Sequence, residues 1–291
     1  MGRLGDASAG LNGSGAVWKL LPGTSFYIVF FAIPLAALLV LSFWQAQGFK
    51  LIPDLSIGNY EKIATSQLYR TILWRSLLVG FMTSLIVVPL AFAMAYVMRF
   101  ILESRGQMIL QLILLSLFSG YLVRIYAWRT ILGKQGLINT TLQWLGVTDA
   151  PIEFLIYSNF AVVVTLTGLL LPLAVLPIYS AMLNVSRDYL DAARDMGAGT
   201  AYRLRTILVP MVLPGIRTAL AFTFLLSAGD FVTPALVGGS QSILIGSVVA
   251  DQFRGIGSNW PLGAALVFVM TASVLVVFVL MMRLIKVATR W

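Results

Sequence analysis

Two charged residues, Arg124 and Asp230, lie inside long apolar runs of this 291-residue sequence. A charge within a bilayer is costly, so it normally faces the interior of a helix bundle, where it pairs with an opposite charge or contacts a polar solute. Counted at about 1.5 Å per residue along continuous helices, both lie roughly 25 Å from the same membrane surface. Asp230 is therefore predicted either to accept a polycation or to form a buried salt bridge with Arg124. In the first case aromatic rings would add cation–π surfaces, and the candidates are Tyr121, Tyr126, Trp128 and Phe231.

Other kinds of chemistry lack the residues they need. The chain has no histidine and no cysteine, which excludes His general bases, thiol nucleophiles and Cys/His zinc sites, and we expect no metal site. It has no Gly-x-x-x-x-Gly-Lys-Ser/Thr run to cradle a nucleotide phosphate, so we expect no cofactor on this chain. Any ATP must be bound by a partner. Without paired carboxylates in the apolar runs, an intramembrane enzyme is disfavoured as well.

The composition is that of an all-α integral membrane protein. Hydrophobic residues make up 59% of the chain and charged residues 11%, with a mean hydropathy of +0.92. A soluble domain carries about 25% charged residues. The net charge of +9 would indicate nucleic acid in a soluble protein. Here the orientation of the chain in the bilayer explains it, and we expect membrane lipid rather than nucleic acid as its surroundings.

Six apolar runs must position the charged residues. Each reaches the roughly 20 residues that a helix needs to cross about 30 Å of hydrocarbon. Residues 1–18 are predicted to be a flexible tail, and residues 19–291 a single transmembrane domain. The first run is too long for a signal peptide and has no small-x-small cleavage site after it. The predicted spans cover about residues 24–44, 72–98, 107–128, 159–183, 212–236 and 260–285.

The basic residues orient these spans. Lys and Arg are concentrated at one side of the six runs, which predicts that both termini lie in the cytoplasm. That side holds Arg3, Lys19, Arg99, Arg105, Arg187, Arg194, Arg203, Arg205, Arg283, Lys286 and Arg290. On the other side, the segments Leu55–Trp74 and Gly133–Tyr157 have apolar positions at helical spacing. We expect both to pack at the outer membrane surface, with direct contact to a partner as the alternative.

The segment between the fourth and fifth runs, residues 186–210, has the pattern of two short helices. The first is predicted to end at Gly197, because glycine readily adopts the left-handed conformation of a helix stop. The second is predicted to run from near Thr200 to Leu208, with Pro210 punctuating the start of the fifth span. The segment would then project from the membrane as a compact knob.

The spacing within this loop resembles the ATPase-docking signature of ABC-importer permeases, which reads Glu-Ala-Ala, three residues, Gly, nine residues, Ile-x-Leu-Pro. The matching residues are Asp191, Ala192, Ala193, Gly197, Ile207 and Pro210. Asp191 replaces the glutamate and Val209 the leucine, and both replacements keep the charge or the apolar character. The resemblance implies a type I ABC importer permease fold, in which this loop is a coupling helix that docks on a cytoplasmic ATPase.

Further stretches resemble the spermidine/putrescine-type permease family, and in particular the first permease of its pair. They are GNYEKI (58–63), PLAFAMAY (89–96), LVRIYAWRTILGKQGLIN (122–139), LPLAVLPIYS (171–180), SAGDFVTPALVGG (227–239) and NWPLGAAL (259–266). The resemblance implies a polyamine as cargo. The family also includes permeases for opines, amino-acid-like compounds, phosphonates and iron, and these cargoes stay open.

The resemblance also implies a set of partners in the bacterial inner membrane. They are a second homologous permease, either a different chain or a second copy, two ATPases that bind ATP and magnesium, and a periplasmic solute-binding protein. An ion-coupled secondary transporter is the alternative class. It is disfavoured because the chain shows no convincing internal repeat and few intramembrane acids.

Overall fold

The structure, a computed structural model, describes residues 21–48, 50–254 and 257–288. The tail predicted for residues 1–18 lies outside these ranges. Within them, five helices are long and apolar enough to cross a membrane, and a bent pair adds a sixth crossing if it is counted as one span. In chain order the elements are α1 (Leu21–Ser42), β1 (Gln45–Gln47), β2 (Lys50–Ile52), α2 (Gly58–Thr65), α3 (Gln67–Ile101), α4 (Ser104–Leu117), α5 (Tyr121–Leu132), α6 (Leu137–Trp144), α7 (Asn159–Leu183), α8 (Arg187–Asp195), α9 (Thr200–Gly229), α10 (Ile245–Arg254) and α11 (Trp260–Val287).

The centre of the fold is a bundle of α3, α7 and α9, each of which packs against the other two. Apolar runs form helices in lipid because the backbone must satisfy its own hydrogen bonds there. Glycine lets these helices approach closely. A Cβ added at Gly80 would lie 2.9 Å from the Cβ of Ala228, and one at Gly215 would lie 2.4 Å from the carbonyl oxygen of Pro177. The α3–α9 and α7–α9 crossings therefore both depend on a glycine.

The first and last membrane-length helices lie outside this bundle. α1 packs mainly against α11, and none of the most apolar 18-residue stretch of α1 is buried inside the protein. Large apolar side chains are exposed on every face of α1, among them Phe26, Phe30 and Leu39. A helix that is apolar all round and not covered by protein is suited to contact with lipid.

The third span is not the continuous helix predicted for residues 107–128. α4 ends at Leu117, and the next helix begins at Tyr121 at an angle of 98° to it. Between them the chain leaves the helical region, since Gly120 has φ −56° and ψ 139°. The predicted distance of Arg124 from the membrane surface assumes one straight helix. It therefore does not apply, because Arg124 lies in α5, after the bend.

The fifth span also differs from the prediction for residues 212–236. α9 begins earlier, at Thr200, and ends at Gly229. Asp230 has the extended conformation φ −70° and ψ 137°, and a separate π-helical turn follows at Pro234–Gly238. Asp230 is therefore a residue that ends a helix and not one in a helix interior.

At two places a π-helical turn comes just before a proline inside a helix. The second helix predicted in the loop is not separate, because a π turn at Leu204–Leu208 joins it to the rest of α9. The Val209 amide donates to the carbonyl of Leu204, immediately before Pro210, which has no amide hydrogen to donate. The same arrangement occurs in α1, where a π turn at Ile28–Ala32 comes just before Pro34. In both places the wider turn keeps the helix unbroken.

The two outer segments pack against the fold. In α2, the Asn59 amide donates to the carbonyls of Ser42 and Trp44 at 3.0 and 2.8 Å. In α6, the side-chain Oδ1 of Asn139 accepts from the Ile152 amide at 2.7 Å. An exposed ion pair closes the second segment: Lys134 Nζ lies 2.8 Å from Glu153 Oε1 and lowers the pKa of that carboxyl. The Asn59 bonds hold the first segment to the end of α1, and the Tyr157 amide joins the second segment to the Val237 carbonyl at 2.8 Å.

Candidate functional site

The helix α8 is built from local capping signals. The Ser186 hydroxyl oxygen accepts from the Asp188 amide at 3.3 Å and so caps the N-terminus. On one face, Leu190 and Ala193 are buried against the bundle. Asp191 and Ala192 lie on the exposed side. The helix therefore presents its charged side outward and anchors its apolar side in the core.

Gly197 ends α8 as the sequence predicts. Its φ is +83°, the left-handed conformation. The Gly197 amide donates to the Arg194 carbonyl at 2.8 Å, and the Ala198 amide donates to the Ala193 carbonyl at 2.9 Å. These two bonds form a Schellman motif. A Cβ added at Gly197 would meet no atom within 4 Å, so within this chain the constraint on the residue is conformational rather than steric.

An open concavity of about 640 Å³ lies beside this turn. Its walls include Gly197, Ile207 and two exposed side chains, Met196 and Tyr202, which are 81% and 61% exposed. Ala193 also lines it. Of the six residues of the signature, Ala193, Gly197 and Ile207 line the concavity, Asp191 and Ala192 face outward, and Pro210 follows the π turn of α9.

Arg203, predicted only as one of the basic residues that orient the spans, joins the two arms of the loop. Its Nη1 donates to the Leu190 carbonyl at 3.3 Å, and its Nη2 donates to the Thr200 hydroxyl at 3.2 Å. One bond reaches α8 and the other the first residue of α9. The walls of the concavity are thereby held in a defined relation.

A second cavity, of about 410 Å³, lies where α5, α7 and α9 meet. It brings together four of the residues singled out in the sequence, while most of the remaining lining is leucine. The four are Tyr121, Arg124, Asp230 and Phe231. An apolar cavity with a few convergent polar groups is typical of a small-solute site.

The predicted salt bridge between Arg124 and Asp230 is not formed in the described structure, which records no ion pair within 4.0 Å between them. The Arg124 Nη1 donates instead to the Leu169 carbonyl at 3.2 Å, and its Nε is buried without a hydrogen-bond partner. The Asp230 carboxylate accepts from the amides of Val232 and Thr233 at 3.1 and 3.3 Å. Because α9 ends at Asp230, its carboxylate is close enough to cap the following turn, which satisfies it without an arginine.

The four predicted aromatic residues have different surroundings. Tyr121 and Phe231 line the cavity, and the Tyr121 hydroxyl is 3.2 Å from that of Thr233. Tyr126 lies in neighbouring surface clefts. Trp128 is partly buried and packs on the core beside Gly168, where an added Cβ would lie 2.4 Å from the indole ring. Two of the four aromatic residues thus line the same cavity as Asp230.

One face of the Phe231 ring is already covered. The Arg254 guanidinium lies over it, 5.5 Å from the ring centroid. No local pattern in the sequence marks this contact, since Arg254 belongs to α10 and Phe231 follows α9.

The chain matches known proteins along nearly its whole length. Residues 18–290 match the family described as "binding-protein-dependent transport system inner membrane component". The spermidine/putrescine transport system permease protein PotB of Haemophilus influenzae is 34% identical over 83% of this chain and 84% of its own. The inner membrane ABC transporter permease protein YdcU of Escherichia coli is 30% identical over 84% of this chain and 81% of its own.

A solved structure shares the fold. The crystal structure of a bacterial ABC transporter involved in the import of the acidic polysaccharide alginate superposes with a TM-score of 0.74, over 94% of this chain and 96% of that chain, at 14% identity. At that identity the likeness shows the fold alone, and it confirms the predicted type I importer architecture. The chain therefore belongs to the family of inner-membrane components of binding-protein-dependent transport systems, as a permease subunit of an ABC importer.

Proposed function

We propose that this permease receives the movement of ATPase subunits through α8 and passes a small polyamine, spermidine or putrescine, across the inner membrane. The observation that carries the proposal is the concavity of about 640 Å³ beside the Gly197 turn, which exposes Met196 and Tyr202. Large apolar side chains at the projecting end of a charged loop are typical anchors for another protein.

The orientation and the assembly follow from this role. The side of the membrane on which α8 lies is the cytoplasmic side, as the excess of Lys and Arg there indicates. The two ATPases bind ATP and magnesium, because this sequence has no phosphate-binding loop of its own. A second permease and a periplasmic solute-binding protein complete the complex. A solved alginate transporter is described in complex with a pentasaccharide-bound periplasmic protein, which supports this kind of assembly.

The cargo assignment is supported by the cavity at the end of α9. Asp230 supplies a carboxylate, and Tyr121 and Phe231 supply ring surfaces for an ammonium group. The printed names of several relatives, PotB of Haemophilus influenzae among them, refer to spermidine and putrescine. A polyamine has the charge and the slender shape to pass such a cavity.

A second cargo class, opines and amino-acid-like zwitterions, is favoured by one observation. Arg124 lines the same cavity, and its Nε is buried without a hydrogen-bond partner. An arginine binds carboxylates through two parallel hydrogen bonds, and a zwitterion would occupy Arg124 and Asp230 together. A polyamine has no group for Arg124.

Uptake by the reconstituted complex separates these cargoes. For a polyamine, Asp230→Asn should raise KM about tenfold, since one charge-assisted contact is worth roughly 1.5–3 kcal/mol, while Arg124→Gln should change KM little. The Asn variant keeps a side-chain oxygen for the turn, so it serves as a conservative change. For a zwitterion, Arg124→Gln should raise KM as strongly. Spermidine uptake unaffected by Asp230→Asn would argue against the polyamine site.

A further inference from the structure

An arginine at the start of α8 reaches away from the loop to the junction of α3 and α4. The Arg187 Nη1 lies 2.8 Å from Glu103 Oε1, and its Nη2 donates to the Phe100 carbonyl at 2.9 Å. Phe100 lies in the last turn of α3, and Glu103 lies in the short connection that follows it. One planar side chain thus makes two bonds to a single distant segment.

A second arginine makes the reciprocal contact. Arg99, in the last turn of α3, donates from Nε to the Met182 carbonyl at 3.3 Å and from Nη2 to the Val185 carbonyl at 3.4 Å. The Met182 carbonyl lies in the last turn of α7, and the Val185 carbonyl lies in the connection between α7 and α8. A cation at a helix C-terminus also interacts favourably with the helix dipole. The two arginines therefore tie the α7–α8 connection to α3 from both sides.

The segment that accepts the hydrogen bonds of Arg187 is conformationally constrained. Glu103 has φ +49°, a backbone conformation that non-glycine residues rarely adopt and that surrounding structure must hold in place. Three residues later, a Cβ added at Gly106 would lie 2.0 Å from the Met98 carbonyl oxygen. α4 therefore begins in direct contact with the end of α3.

We infer that Arg187, Glu103 and Arg99 form a brace through which the movement of α8 is transmitted to α4. The inference rests on the proposed docking of α8, and it identifies Arg187 as a positioning residue for transport. α8 also packs on the bundle through Leu190, in a buried cluster that includes residues of α3, α4, α7 and α9. The far end of α4 is Leu117, which lines the 410 Å³ cavity with Tyr121 across the 98° bend. The brace thus joins the coupling loop to the arm that shapes the cavity.

The test uses the full complex with its ATPases and compares matched ion pairs. Arg187→Gln and Glu103→Gln should each lower the number of cargo molecules taken up per ATP hydrolysed by about fivefold or more, the low end of typical coupling energies. The exchanged pair Arg187→Glu with Glu103→Arg should regain part of the loss. Lys134→Gln is the control, because its bond to Glu153 has the same length of 2.8 Å but lies in the outer segment. Its uptake per ATP should equal that of the parent.

The readouts distinguish failure of the brace from failure of the proposed docking. Arg187→Gln and Glu103→Gln should bind the ATPases normally and still hydrolyse ATP. If α8 does not dock at all, then even Gly197→Phe should leave ATPase binding unchanged. Normal uptake per ATP in both Arg187→Gln and Glu103→Gln would overturn the brace, as would an equal loss in Lys134→Gln.

A cross-link covers the case in which these variants do not fold. The chain has no cysteine, so Arg187→Cys with Glu103→Cys allows a short, reducible bis-thiosulfonate linker to replace the ion pair. Two segments that move as one body should transport normally when linked. Uptake that stops on linking and returns on reduction would contradict the inference.

Discussion

Substitutions of Gly197 test whether this residue acts through its backbone conformation or through docking, because the two causes rank the same variants differently. Its φ of +83° costs an ordinary L-residue about 1–2 kcal/mol, whereas asparagine enters the left-handed region more readily. Strain alone therefore predicts that Gly197→Ala is more harmful than Gly197→Asn. Docking against the concavity predicts the reverse, because the asparagine side chain is larger than that of alanine.

The magnitudes separate the two causes further. A Cβ at Gly197 meets nothing within 4 Å in this chain, so none of these variants should clash with the permease itself. Strain of about 1.4 kcal/mol corresponds to a tenfold change in an equilibrium constant, which bounds the effect of Gly197→Ala on ATPase affinity at about that level. Gly197→Phe would fill part of the concavity and should abolish ATPase binding.

The measurements are ATPase binding by the detergent-solubilised permease, uptake in proteoliposomes and the thermal unfolding midpoint of each variant. We expect membrane insertion and unfolding to change little across the series, and binding to fall with side-chain size. Normal uptake by Gly197→Phe would refute docking at this concavity. Binding that is weaker in Gly197→Ala than in Gly197→Asn would assign the role of Gly197 to backbone conformation alone.

Two further predictions concern helix packing and the cavity. Gly215→Ala should lower stability by about 1–3 kcal/mol, because the new Cβ would meet the Pro177 carbonyl, and its unfolding midpoint should be compared with that of Gly199→Ala, where an added Cβ meets nothing. Equal midpoints would show that α7 and α9 separate at little cost. Arg254→Gln should uncover one face of Phe231 and lower KM for a cationic cargo, and an unchanged KM would mean that this ring does not contact cargo.

Local sequence signals account for much of the fold. Long apolar runs predict membrane-length helices because a lipid-embedded backbone has no other way to satisfy its hydrogen bonds. The end of α8 is predicted from Gly197, since the left-handed conformation is a property of that single residue. The run Asn159–Leu183 coincides with the predicted fourth span for the same local reasons.

The features that escaped prediction depend on backbone direction or on distant contacts. The 98° bend after Leu117 lies within a predicted apolar span, because hydropathy reports composition and not conformation. The sequence predicts that Asp230 lies inside a helix. Because α9 ends at Gly229, Asp230 instead caps the turn that follows. Arg187 and Glu103 are 84 positions apart, and no periodicity relates them.

The position of α1 has a consequence for biosynthesis. Its main partner is α11, the last membrane-length helix, so α1 enters the bilayer long before that partner exists. The roughly 200 residues between them take about 10–40 s to synthesise at about 5–20 residues per second. During that interval α1 must persist in lipid without its partner, and its apolar character on every face permits this. The assembly of this permease is thus completed by its first and last helices, which meet only when translation is nearly over.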